Sequence, residues 1–154
     1  MNKFLGIPSK CVAAGVLIVS CLYAYTADAV QMSGDSGFKG TFSDICAHSD
    51  TGDLLGTELS FIPTPNGFAI LLQRAQGALL KPMLLMPKAT SSKRVEIQES
   101  NQGRAISFSV ELKSENELVI QFKDGQITRN GTPSTTLRRR PAIWSDGQKV
   151  DNCR

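Results

Sequence analysis

Ile106-Ser107-Phe108-Ser109-Val110-Glu111-Leu112, followed after a short gap by Leu118-Val119-Ile120-Gln121-Phe122-Lys123, is the stretch that decides the fold. Its apolar positions recur every second residue, and a pleated strand sends alternate side chains to opposite faces. Ser114-Glu115-Asn116-Glu117 lies between the two runs and supplies a polar turn. The whole predicts an antiparallel hairpin with one dry face and one wet face.

Working outward, the same period returns. Thr57, Leu59 and Phe61 alternate with Glu58 and Ser60, and residues 68–73 run back as a largely apolar strand. Thr64-Pro65-Asn66-Gly67 joins them, and an Asn-Gly step favours a tight hairpin because both residues tolerate positive φ. Further strands are predicted at 37–42, 79–86, 94–98, 126–128 and 135–140, with turns at Gln76-Gly77, Gln102-Gly103, Asp124-Gly125 and Asn130-Gly131. No segment after residue 29 keeps a helical apolar period for three turns. At most one short helix is expected, within 75–80 or around Ile143. Strands joined by short turns pair with their sequence neighbours, so the fold class is all-β: a small antiparallel up-and-down meander closed into a barrel or bent sandwich, with one disulfide.

The first 29 residues read as an export signal. Lys3 and Lys10 precede an apolar core over 11–25, and Ala27-Asp28-Ala29 is a small-x-small cleavage site. Ile18-Val19-Ser20-Cys21 also resembles a lipobox, whose cysteine becomes a lipidated N-terminus. Two localisations therefore stand: periplasmic or secreted after cleavage behind Ala29, or membrane-anchored as a lipoprotein through Cys21. Residues 30–37, small and Gly/Ser-rich, form a flexible leader, and 38–154 a single β domain.

Cysteine and charge narrow the class. Cys11 and Cys21 fall in the signal, which leaves Cys46 and Cys153 as the pair available for a disulfide in an oxidising compartment. Without Lys3, Lys10 and Asp28, the 17 basic and 14 acidic residues become 15 and 13, a net charge of +2. Nucleic-acid binders carry a one-sided basic surface, so nucleic acid is not an expected partner.

Catalytic motifs lack their complements. Gly34-Asp35-Ser36-Gly37 resembles the serine motif of GDSL-type esterases and of trypsin-like proteases, but either needs a histidine placed to take the serine proton. The one histidine, His48, lies twelve residues after Ser36, at neither family's position. Cys46, His48, Asp50 and Asp53 are capable metal ligands in one cluster, yet a cysteine in a disulfide cannot ligate and the aspartates read as turn caps. The carboxylate pairs Glu96/Glu99, Glu111/Glu115 and Glu115/Glu117 fall on wet faces or in turns, without the enclosure that acid–base catalysis needs. The chain is read as a non-enzyme with no cofactor and no metal.

The candidate binding residues are Arg74, Arg138, Arg139, Arg140 and Trp144, because arginine and tryptophan predominate at binding hot spots. In a strand Arg138 and Arg140 share one face while Arg139 takes the other. Trp144 is read in two ways, as a plug for an open barrel end or as part of a contact surface. Leu79, Leu80, Met83, Leu84, Leu85 and Met86 form an apolar stretch without clean alternation. Pro82 inside it predicts an edge strand or a bulge.

The opening Gly37-Phe38-Lys39-Gly40-Thr41-Phe42, the strand meander and a late basic strand resemble the lipocalin-like class of small barrels, with phenylalanine where that class carries tryptophan. The resemblance implies a barrel and, as one function, a carrier of a small apolar ligand. The residues themselves favour another: an exported, non-catalytic binding module of the cell envelope. It would bind an envelope or secreted protein partner as an inhibitor or immunity-type protein, because Ile106, Phe108, Val110, Leu118, Ile120 and Phe122 suffice to fill a small interior.

Overall fold

The computed structural model describes residues 37–101, 104–123, 125–126, 128–145 and 149–153. The signal, Cys21, residues 30–36 with the Gly34-Asp35-Ser36 motif, and the Gln102-Gly103 turn lie outside the described residues, as does Asp124.

Ten strands form one antiparallel sheet: β1 (Gly40–Ser43), β2 (Cys46–Ala47), β3 (Leu54–Thr64), β4 (Gly67–Leu79), β5 (Met83–Leu85), β6 (Ala89–Thr90), β7 (Arg94–Asn101), β8 (Arg104–Ser114), β9 (Glu117–Phe122) and β10 (Ser134–Arg139). The strand order is β5-β4-β3-β1-β10-β9-β8-β7-β6, with β2 attached beside β3. The meander is joined head to tail, because β1 pairs with β10 on one side and with β3 on the other.

The sheet curls into a half-barrel and stops short of closing. Its free edges are β5 and β6, which follow one another in the chain with Pro87 between them. Proline donates no ladder hydrogen bond, and strands of three and two residues offer little to pair. The expected antiparallel meander is thus present, curled into a half-barrel with its seam between β5 and β6.

The two hairpins read from period two are both present. Thr64 pairs with Gly67 across a two-residue turn, with Gly67 at φ 129°. Val110 pairs with Ile120 and Phe108 with Phe122. The concave face is packed solid by Phe42, Leu59, Val95, Phe108, Val110, Leu118, Ile120 and Leu137, all 0% exposed. Phe38, Phe42, Phe61 and Phe68 form a ring cluster at one end, with centroids 5.2 to 6.0 Å apart.

Four local expectations are corrected. Residues 75–79 extend β4 instead of forming a helix, because β3 supplies ladder partners as far as Leu54↔Gly77, and a continuous ladder outweighs a local turn signal. Ile143 and Trp144 form a turn. Residues 79–86 are divided: β4 ends at Leu79 and β5 begins after Pro82, as an edge strand. Gln126 and Thr128 lie in no strand. Thr128 instead anchors a turn, its N–H donating to the Thr132 carbonyl at 2.7 Å.

Candidate functional site

The convex face of β1 and β10 carries an open polar groove of about 990 Å³. Asp44, Arg129, Arg138, Arg140, Glu117 and Asp151 supply its charged walls. Its position follows from alternation: Phe42 and Leu137 point into the core, so Ser43, Thr136 and Arg138 point out.

The C-terminal segment forms one wall. Ala47 donates its N–H to the Asp151 carbonyl and accepts from the Cys153 N–H, both at 2.8 Å, which lays the tail parallel to β2. A disulfide joins Cys46 to Cys153, 107 residues apart, and fixes that wall covalently. Arg140 reaches across to Asp151 at 2.6 Å.

The floor of the groove is organised by Asp44. Its Oδ1 accepts the Thr57 N–H at 2.6 Å, and its Oδ2 accepts the Thr135 hydroxyl at 2.9 Å. Arg129 Nε lies 3.8 Å from the same carboxylate, and Arg129 also donates to Cys46 Sγ. Burial pushes the Asp44 pKa up, against the lowering pull of the Thr57 and Thr135 hydrogen bonds and the Arg129 charge. Gly56 makes this approach possible: at φ 126°, an added Cβ would stand 2.7 Å from the Asp44 carbonyl oxygen.

The five candidate binding residues are distributed over separate places. Arg138 and Arg140 border the groove together. Arg139 turns to the core side, where its guanidinium lies 4.4 Å from the Phe42 ring centroid and donates to the Glu115 carbonyl at 2.7 Å. Arg74 closes the opposite end of the half-barrel, 5.4 Å from the Phe122 centroid and hydrogen-bonded to Gln126. Trp144 is 52% exposed in the turn after β10, so it plugs no barrel end. Sequence reasoning missed Asp44, Arg129 and Glu58, since each lies in a loop or on a wet-face position that looks solvated until the tail and β10 are laid against it.

Among the described residues, no group of three or more His, Cys, Asp or Glu side chains is placed to hold a metal ion. His48 and Asp50 lie in an exposed turn, with the His48 carbonyl accepting the Gly52 N–H at 2.9 Å.

No family model and no curated protein matches the chain. Among solved structures, a redesigned β barrel is similar at a TM-score of 0.44 and 13% identity, over 70% of this chain and 94% of that one.

Proposed function

We propose that this chain is an exported, non-catalytic, protein-binding module of the cell envelope, of the inhibitor or immunity type, and that it grips an acidic element of its partner in the groove beside β10. The observation that carries this reading is the state of Arg138. Its side chain is exposed on the groove rim, and no hydrogen bond or ion pair joins its guanidinium to any described residue. A planar guanidinium held on a rigid strand is suited to bidentate capture of a carboxylate. Three guanidiniums and three carboxylates line the groove, with Glu117 opposite Arg138 in the ladder; Arg129 and Arg140 already share the carboxylates of Asp44 and Asp151, which leaves Arg138 as the cation offered to a partner.

The disulfide supports export, since such bonds persist in oxidising compartments. The packed concave face supports a scaffold that binds on its outside over a carrier of a small apolar ligand, which requires a cavity of a few hundred Å³ or more, on the order of 300.

Immobilised chain is expected to retain a partner protein from an envelope extract at near-stoichiometric yield. Arg138→Glu should weaken that retention about tenfold or more, ~1.4 kcal/mol. Retention of no protein, or retention untouched by the substitution, overturns the reading.

A further inference from the structure

From Leu59 to Val95 the sequence contains no aspartate and no glutamate, while Arg74, Lys81, Lys88, Lys93 and Arg94 fall within it. The chain as a whole has 14 acidic residues, so its charges are segregated. The same stretch holds nearly all of the exposed large apolar side chains among the described residues: Ile62, Leu79, Leu80, Leu84 and Met86, with Trp144 the exception.

The fold collects most of these along one lip of the open seam. β5 is a sheet edge, and its residue Leu85 packs inward opposite Ile70. Leu84 consequently stands on the convex face, opposite Leu71, and is 59% exposed, as is Met86 just beyond it. Leu79, the last residue of β4, and Leu80, the first of the loop before β5, are both exposed. That loop is held in place by the Leu80 N–H donating to the Arg74 carbonyl at 2.8 Å and by Gln73 Nε2 donating to the Leu80 carbonyl at 2.5 Å. Lys81 lies between the two apolar pairs, exposed and without a partner among the described residues. Lys88 follows Pro87; its backbone N–H donates to the Glu96 carbonyl at 2.8 Å, and its ammonium donates to the neutral Gln98 side chain. Glu96, the first acid beyond the stretch, is occupied by Arg94 and Lys123.

We propose that this lip, from Leu79 to Lys88, docks the protein peripherally on an anionic lipid bilayer, with Leu79, Leu80, Leu84 and Met86 entering the interface and Lys81 and Lys88 meeting the headgroups. Apolar side chains interleaved with cations, and free of acids, match the interfacial zone of such a membrane in both polarity and charge. A second copy of the chain is a poorer occupant. A symmetric contact through this lip would set lysines against lysines with no carboxylate between them. The lip is separated from β10 by β4, β3 and β1, so a bilayer there leaves the Arg138 groove uncovered.

The test uses a fluorophore local to the lip. Leu84→Trp in a Trp144→Phe background reports on this position irrespective of how the apolar N-terminal residues behave. Its emission should shift to the blue with mixed phosphatidylglycerol–phosphatidylcholine vesicles and be quenched by brominated acyl chains. Lys81→Glu with Lys88→Glu should raise the lipid concentration needed about tenfold or more. No shift, an equal shift with pure phosphatidylcholine vesicles, or a shift that follows protein concentration in the absence of lipid overturns the proposal; the last would mark the lip as a self-association surface.

Discussion

Both carboxylate oxygens of Glu58 lie 3.2 Å from the backbone nitrogen of Ile143, which donates to them, so a side chain in the middle of β3 holds the segment that follows β10. Glu58 is 1% exposed. Burial pushes its pKa up from the ordinary 4.5, only partly offset by the Ile143 N–H and the Ser43 hydroxyl. The carboxylate therefore fixes the tail while charging the fold a desolvation cost.

A pKa raised in the folded state means that the native protein binds this proton more tightly than the unfolded chain does. The resulting stabilisation is fully present below about pH 4.5 and is lost as pH rises through the folded value. Asp44 acts in the same direction from its ordinary 3.8. Glu58→Gln should raise the urea midpoint at neutral pH and flatten its decline with rising pH. A lower midpoint at neutral pH would show that the ionised carboxylate is worth more to the tail than it costs.

Asp44→Ala leaves the Thr57 N–H, the Thr135 hydroxyl and Arg129 without their shared acceptor. A loss of about 2 to 4 kcal/mol is expected by denaturant unfolding. Gly56→Ala should also destabilise, through its positive φ and the clash with the Asp44 carbonyl.

The Cys46–Cys153 bond closes a loop of 107 residues in sequence separation. Thiol counting on denatured, unreduced protein should find neither cysteine free. Reduction should cost up to about 4 to 5 kcal/mol, the loop-entropy bound, and open the C-terminal segment to limited proteolysis before the rest of the sheet.

Arg139 and Phe42 form a pair suited to a double-mutant cycle, because Phe42 is 0% exposed and the guanidinium lies over its ring. Phe42→Leu and Arg139→Ala should couple by about 1 kcal/mol in unfolding free energy. Arg138→Glu, on the opposite face of the same strand, should shift the melting temperature little. A coupling of zero would leave Arg139 a surface residue in energetic terms.

The strand content was legible because period two is written into single residues. Ile106 to Leu112 and Leu118 to Phe122 bury alternate side chains wherever their sheet lies, and Asn66-Gly67 forms its turn locally. Pro82 marked an edge for an equally local reason, its missing donor. Arg138 and Arg140 were expected on one face from alternation alone, and they share the groove.

Tertiary structure alone decided where those pieces meet. Nothing in the sequence places β1 between β3 and β10, leaves the seam between β5 and β6 open, or carries Arg74 to the far end from Arg139. Each depends on pairings between residues scores of positions apart, and local propensity contains no term for such contacts. Burial at Glu58 and Asp44 has the same origin. Their strand and loop positions are solvent-facing by pattern, and they become interior only when the C-terminal segment and β10 close over them. Sequence by itself determined the two hairpins, β3 with β4 and β8 with β9, and the alternation that sends Phe108, Val110, Leu118, Ile120 and Phe122 to the core; the extent of the remaining strands and the charges the fold encloses were set by the packing of distant segments.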